Sequence, residues 1–220
     1  MQFINQIVKI SHKCKIAKLK ALYKKGSNLE TKNYRSIYLL PLISKFFEKI
    51  VHDQTQEYLD VNKVLYKYQS GFRAKHSTDT CLSLLNDKIL TGFDKGMLTG
   101  MILINLQKAF DTIDHDIFLE KLECLGFSKK CIQWYQSYLE NRSFLVNIEN
   151  QFSEPGKLTC GVPQGSILGP LIFLMYVNDM AQSVDCDLFS KSIIFGTKRK
   201  LKNLDNLDIR RGDIKIKQHN

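Results

Sequence analysis

The sequence lacks any long hydrophobic run. It contains no uninterrupted apolar stretch of about 18 residues or more, the length that a membrane-spanning helix needs. The N-terminal segment is polar and basic, without the apolar centre of a secretory signal peptide. Only four of the 220 residues are prolines and 44% are apolar, so the composition favours a packed domain over a disordered chain. These absences predict an intracellular protein with no membrane partner, in either the nucleus or the cytoplasm.

Cysteines are few and are not arranged as metal ligands. The six of them stand far apart, at positions 14, 81, 124, 131, 160 and 186. None belongs to a Cys-x-x-Cys pair, and no histidine stands at zinc-finger spacing, which argues against a structural zinc site. Reduced cysteines of an intracellular protein are the expectation.

Acidic residues are scarce at both ends of the chain. Residues 1–25 contain seven lysines and no acid, and residues 191–220 contain nine Lys or Arg against three Asp. The whole chain carries a formal charge of +10, which leaves about −3 for the residues between. Basic ends around a mildly acidic centre suit weak, non-specific binding to the phosphates of RNA or DNA. A solvated basic surface without a partner explains the same charge.

Hydrophobic periodicity predicts an α+β fold. The predicted order is helices, a buried strand over residues 99–106, more helices, a hairpin and a last helix, without regular βαβ alternation. The first well-marked helix is predicted over Ile37 to Val51, and Ser77 and Ser128 are the predicted N-caps of two later helices. The predicted buried face of the first helix consists of Leu39, Leu40, Ile43, Phe46, Phe47 and Ile50.

Three segments carry chemistry. They are Gly-Phe-Arg-Ala-Lys-His-Ser-Thr at 71–78, Leu-Ile-Asn-Leu-Gln-Lys-Ala-Phe-Asp at 103–111 and Cys-Gly-Val-Pro-Gln-Gly-Ser-Ile-Leu-Gly-Pro at 160–170. In this order they resemble the reverse transcriptase of non-LTR retrotransposons, and the resemblance extends from about Lys15 to Phe189. It implies an RNA-directed DNA polymerase that uses dNTPs and Mg²⁺.

The resemblance also implies an architecture, that of a partial right-hand polymerase. Residues 1–98 would form a fingers-like region, and residues 99–189 an incomplete palm with antiparallel strands and packed helices. Residues 190–220 would be a basic tail that resembles a later palm segment, joined after an internal deletion, and no thumb is expected.

The same resemblance assigns roles to individual residues. Arg73 and, more weakly, Lys75 would bind the triphosphate, because a guanidinium fork matches phosphate oxygens. Phe110 would stack under the incoming sugar and exclude a 2′-hydroxyl. Gln164 would contact the nucleotide, and Gly165 would let the backbone approach it closely. The helix after this glycine would offer its N-terminus to negative charge.

The chain departs from the family at its metal ligands. Asn105 stands where the family has the Asp that binds both metal ions, and Ser-Lys-Ser-Ile-Ile-Phe follows Phe189 where the family has Tyr-Ala-Asp-Asp. Two-metal catalysis depends on carboxylates, because Mg²⁺ prefers charged oxygen ligands. No bound metal and no polymerase activity are therefore expected. Asp185 and Asp187 are poor substitutes because they precede the position of the missing pair.

Two acidic residues that follow Asn105 are expected to have a structural role. Asp111 and Asp114 are expected to cap the following helix instead of binding metal. Without the missing hairpin, the strand over residues 101–106 would be left uncovered, unless residues 192–195 pair with it.

Two other interpretations stay open: a non-enzymatic nucleic-acid-binding remnant, and a translated fragment without function. Asn105 taken alone favours a hydrogen-bonded amide at a strand end over a former metal ligand.

Overall fold

The computed structural model describes residues 9–73, 76–100, 106, 108–148 and 151–183, together with the backbone of residues 194–195, 210–211 and 214–215. Its helices are α1 (Leu42–Val61), α2 (Thr78–Asp94), α3 (His115–Cys124), α4 (Lys129–Leu139) and α5 (Gly169–Val177). Its strands are β1 (Ile16–Tyr23), β2 (Tyr34–Leu39), β3 (Thr99–Gly100), β4 (Arg142–Ile148), β5 (Gln151–Phe152), β6 (Gly156–Leu158), β7 (Ile194–Phe195), β8 (Arg210–Arg211) and β9 (Ile214–Lys215). This mixture of helices and a sheet confirms the α+β class.

The chain divides into two compact units. The first combines residues 1–75 with residues 106–187, and the second combines residues 76–105 with residues 188–220. Each unit therefore contains two stretches that are distant in sequence. The assignment of residues 1–98 to fingers, 99–189 to palm and 190–220 to a tail stays a prediction.

A five-stranded sheet organises the first unit. Strand β1 lies between β2 and β4, and β4 also pairs with β5 and β6. The β1–β4 pair is parallel, and the other pairs of this sheet are antiparallel. One face of the sheet is buried, and its core consists of Ala17, Leu19, Tyr38 and Leu40.

Aromatic side chains fill the core between the helices of this unit. Trp134 and Tyr138 of α4 stack with their ring centroids 5.5 Å apart and their planes 9° apart. Tyr135 meets Trp134 edge-on at 5.3 Å. All three rings are almost completely buried, and they pack with residues of α1, α3 and α5. Such large buried surfaces supply most of the hydrophobic stabilisation of a domain.

Side-chain caps begin two of the helices as predicted. Asp114 accepts hydrogen bonds from the backbone N–H groups of Asp116 and Ile117 at the start of α3. Ser128 accepts from the N–H of Cys131 at the start of α4. Both caps satisfy backbone donors that have no partner inside the helix. The expectation that Asp111 also caps α3 is wrong, because its carboxylate accepts hydrogen bonds from the side chain of Gln164 instead.

The prediction for α1 is wrong at its start and in its buried face. Residues 34–39 form a strand, and the helix begins only at Leu42, because a residue that precedes a proline avoids helical backbone angles and Pro41 stands at this point. Ile43 and Phe46 are 54% and 61% exposed. The buried residues of α1 are Ser44, Glu48, Val51, Thr55 and Leu59.

The second unit contains α2 and two short strand pairs, β3–β7 and β8–β9. Ser77 begins α2 with a reciprocal capping box to Thr80, which confirms the predicted N-cap. Strand β3 pairs antiparallel with β7, with Thr99 opposite Phe195 and Gly100 opposite Ile194. The tail therefore pairs with the chain just before residues 101–105, which lie outside the described residues. The predicted exposure of that segment is not tested.

Candidate functional site

Two of the chemistry-bearing segments are joined by backbone hydrogen bonds. The N–H of Gly161 donates to the carbonyl of Ile113 at 2.7 Å, and the N–H of Val162 donates to the carbonyl of Phe110 at 2.8 Å. Gly161 has a φ of 75°, and a Cβ placed there would lie 2.6 Å from the Phe110 carbonyl oxygen. Glycine is therefore needed for the 161–166 turn to approach the end of the 103–111 segment.

The opposite side of the 161–166 turn lies against β2. The backbone N–H of Tyr38 donates to the carbonyl of Gln164 at 2.8 Å. Gly165 has a φ of 112°, and a Cβ there would lie 2.8 Å from the carbonyl oxygen of Tyr38. The structure thus gives Gly165 a local reason to lack a side chain. Its predicted approach to a nucleotide stays a prediction.

Gln164 and Asp111 meet side chain to side chain. The Nε2 of Gln164 donates to both carboxylate oxygens of Asp111, at 3.0 and 3.2 Å. Both residues are partly buried. Burial raises the pKa of the nearby Tyr38 hydroxyl, and the negative charge of Asp111 and then the Cys160 thiol act in the same direction. Gln164 therefore faces a carboxylate, and its nucleotide contact stays a prediction.

Phe110 lies between two other aromatic rings. Its ring centroid is 5.3 Å from that of Phe173 and 6.0 Å from that of Phe72, which it meets edge to face. Phe72 is 57% exposed and has a φ of 56°. A bulky residue in this left-handed region is unusual and is found most often near functional sites. The half-buried ring of Phe110 is thus held from two sides.

Of the two predicted triphosphate ligands, the structure describes one. Arg73 directly follows Phe72, is half-buried and makes no hydrogen bond or ion pair to another described residue. Lys75 lies outside the described residues, as do Asn105, Asp185 and Asp187. The contact between the rings of Phe72 and Phe110 nevertheless brings residues 71–73 close to the 161–166 turn, because the backbone of that turn is hydrogen-bonded to Phe110.

An acidic side chain does reach the segment that leads into α5, but it comes from the protein itself. The Oε2 of Glu48, a residue of α1, accepts the backbone N–H of Ile167 at 2.7 Å. The hydroxyl of Ser166 accepts the N–H of Gly169 at 3.0 Å. Gly169 is the first residue of α5, so its N–H is a donor that the helix leaves without an intrahelical partner. Ile167 lies two residues before α5, and its N–H needs an acceptor from elsewhere in the chain. Sequence reasoning missed Glu48, which stands between Phe47 and Lys49 with no local pattern that marks it as buried.

Glu48 belongs to a buried polar group behind the 161–166 turn. Its Oε1 accepts hydrogen bonds from the hydroxyls of Tyr138 at 3.1 Å and Ser44 at 3.4 Å. The Nη1 of Arg142 donates to the carbonyl of Tyr138 at 2.8 Å, and the guanidinium carbon lies 4.6 Å from the centroid of that ring. Burial raises the pKa of Glu48, whereas the amide of Ile167 and the charge of Arg142 act in the opposite direction.

The described residues do not fit a pair of Mg²⁺ ions. Among them, no group of three or more His, Cys, Asp or Glu side chains is close enough to hold a metal ion. Asp111 is a carboxylate at the expected end of the site, but it accepts hydrogen bonds from Gln164. We therefore assign no step of a reaction to a metal ion. No helix of the described segments is long and apolar enough to cross a bilayer.

Comparison with known proteins gives one consistent result. Residues 22–195 match the family described as reverse transcriptase (RNA-dependent DNA polymerase). A probable RNA-directed DNA polymerase from transposon BS of Drosophila melanogaster is 34% identical over 167 residues, which is 76% of this chain and 18% of that protein. The corresponding protein of the X-element of the same species is 32% identical over 194 residues, 86% of this chain and 21% of that protein. The RNA-directed DNA polymerase from the mobile element jockey of Drosophila funebris is 31% identical over 152 residues, 69% of this chain and 16% of that protein. The chain spans about a fifth of the length of these relatives.

Proposed function

Since this chain belongs to the reverse transcriptase family, of the kind that non-LTR retrotransposons carry, we propose that it retains nucleotide and nucleic-acid binding without polymerase activity. The observation that carries the proposal is that the 103–111 segment lacks a free carboxylate for a metal ion. Asn105 takes the place of one metal-binding Asp. The carboxylate of Asp111, at the end of the same segment, is bound by an amide.

Loss of catalysis follows from the chemistry of phosphoryl transfer. Two metal ions must stabilise the attacking and leaving oxygens, and their positive charge has to be balanced by carboxylates. An asparagine offers one neutral carbonyl oxygen and no negative charge. The segment that follows Phe189 contains no adjacent pair of aspartates that would restore the balance.

The nucleotide site that we propose consists of Arg73, Phe110 and Gln164. Phe110 is supported from both sides by Phe72 and Phe173, so its ring has a fixed place to meet a sugar. Arg73 makes no hydrogen bond or ion pair to another described residue, so none of these competes with a phosphate for its guanidinium. Its planar guanidinium suits phosphate oxygens in a two-point contact.

A cationic face on the first unit supports nucleic-acid binding. Strand register places Lys18, Lys20, Arg35 and Lys157 on the face of the sheet opposite its core, and all four side chains are exposed. The Lys18 ammonium also lies 5.3 Å from the ring centroid of Phe152. Cations beside an aromatic ring suit a single strand, because the cations bind its phosphates and the ring stacks on its bases. We call these four residues the cationic face.

Primer extension tests the proposed loss of activity. The purified chain is incubated with an RNA template, an annealed primer, dNTPs and either Mg²⁺ or Mn²⁺, beside an active reverse transcriptase as the positive control. We expect no template-dependent extension above a reaction without protein. Extension in either metal would overturn the proposal that the metal site is lost.

A further inference from the structure

Glu48 is a buried acid that the assigned roles of the family motifs leave unused. Its side chain is fully buried, yet it contacts three different parts of the first unit. It accepts hydrogen bonds from Ile167 just before α5, from Tyr138 of α4 and from Ser44 of its own helix. Through the bond to Ile167, Glu48 links the back of the 161–166 turn to α1.

Packing alone does not explain an acid at this position. Removing a carboxyl group from water is unfavourable, and an apolar side chain of similar size would fill the same space without that penalty. What an apolar side chain would not supply is an acceptor for the N–H of Ile167. That N–H lies two residues before α5 and outside its hydrogen-bond ladder, so another part of the chain has to supply the acceptor.

The 161–166 turn is consequently held at both of its sides. In front, the carbonyl of Gln164 accepts from the backbone N–H of Tyr38. Behind, the N–H of Ile167 donates to Glu48. Only two residues, Gly165 and Ser166, separate these two attachment points. The side chain of Gln164 therefore starts from a backbone that is fixed at its own carbonyl and again shortly after it.

We propose that Glu48 is a positioning residue, which holds the 161–166 turn in the conformation that presents Gln164 to a nucleotide. The presentation to a nucleotide rests on the function proposed above, whereas the holding of the turn does not. Glu48 acts through backbone contacts and is not itself expected to touch a bound nucleotide. Its replacement is expected to loosen the turn while the helical core remains folded.

The chain offers a matched control on the same two helices. Thr55 lies two turns further along α1, and its hydroxyl is hydrogen-bonded to that of Tyr135 in α4 at 2.9 Å. Both residues are buried. Thr55→Val removes a buried polar contact between α1 and α4, as a Glu48 substitution does, but Thr55 has no hydrogen bond to the turn. General destabilisation therefore affects both variants, and loosening of the turn affects only one.

Hydrogen–deuterium exchange measures this difference directly. The exchange rate of amides 164–168 is divided by that of amides in α4, in the parent protein, Glu48→Met, Glu48→Gln and Thr55→Val. Glu48→Met lacks the acceptor and is expected to raise this ratio about tenfold, because the turn opens without unfolding α4. Glu48→Gln keeps a carbonyl acceptor and is expected to stay near the parent, as is Thr55→Val.

Two outcomes would overturn the assignment: an unchanged ratio in Glu48→Met, or an equal rise in Thr55→Val. Glu48→Ala is measured in parallel, so that the failure of one variant to fold still leaves a decisive ratio. Binding of a fluorescent dNTP provides the second readout, with affinity reduced in Glu48→Met and kept in Thr55→Val. A parent protein that binds no dNTP would contradict the proposed function, while the exchange ratio would still decide the role of Glu48.

Discussion

Gln164 and Asp111 lie 53 residues apart in sequence, and the side-chain amide of one donates to both carboxylate oxygens of the other. The contact joins the 161–166 turn to the end of the 103–111 segment. Backbone hydrogen bonds of Gly161 and Val162 make the same connection. A side-chain contact and a pair of backbone hydrogen bonds thus stabilise one junction of the proposed nucleotide site.

The Gln164–Asp111 contact predicts energetic coupling between the two side chains. In a double-mutant cycle of Gln164→Ala and Asp111→Ala, we expect a coupling free energy of about 1 kcal/mol, because the acceptor is charged but only partly buried. Urea unfolding of the four proteins measures it. Additive effects of the two substitutions would show that the contact contributes nothing to stability.

Glycine at position 165 is predicted to be required by the fold itself. Gly165→Ala places a Cβ against the Tyr38 carbonyl at a φ of 112°, and we expect a loss of about 2 kcal/mol or more in the free energy of unfolding. Gly71 is the control, because a Cβ there would meet its nearest neighbour at an ordinary 3.4 Å. Equal stabilities of the two alanine variants would contradict the close approach that the structure shows.

Glu48 is predicted to make stability depend on pH. Burial raises its pKa above the ordinary value of 4.5, so the folded state favours the protonated form. Its contribution to stability is then fully present below about pH 4.5 and is lost as the pH rises through the raised pKa. The free energy of unfolding of Glu48→Gln minus that of the parent protein should therefore increase as the pH rises from about 4.5 through the raised pKa. A difference that stays constant or falls with pH would contradict the prediction.

Local signals in the sequence predicted those features that depend on neighbouring residues. The caps at Ser77, Asp114 and Ser128 are of this kind, since each cap and its backbone donor lie within three residues. The buried face of α1 could not be found in this way, because the partners of Glu48 and Thr55 include side chains of α4 and the backbone N–H of Ile167, which are distant in sequence. Asp111 failed as a cap for the same reason, since its partner stands 53 residues away.

The cationic face is predicted to bind single-stranded nucleic acid through its phosphates. We expect Lys18→Ala/Lys20→Ala to weaken binding of a single-stranded RNA, measured by fluorescence anisotropy over a range of salt concentrations. The slope of log affinity against log salt should become shallower by about 0.7 for each phosphate that the variant no longer neutralises. Lys129→Ala/Lys130→Ala, which removes the same charge from exposed positions on α4, is the control. Equal effects of the two pairs would indicate non-specific attraction by net charge.

Restoring a single carboxylate is predicted not to restore polymerisation. Asn105→Asp returns one negative charge to the position that the family uses for both metal ions, but two ions need more than one carboxylate. Asp111 is the nearest acid in the same segment, and its oxygens accept hydrogen bonds from Gln164. We therefore expect no primer extension by Asn105→Asp with Mg²⁺ or Mn²⁺, at protein concentrations where the variant still binds RNA as the parent does. Measurable extension would mean that other acids complete the site, and the loss of that extension in Asp185→Asn or Asp187→Asn would identify them.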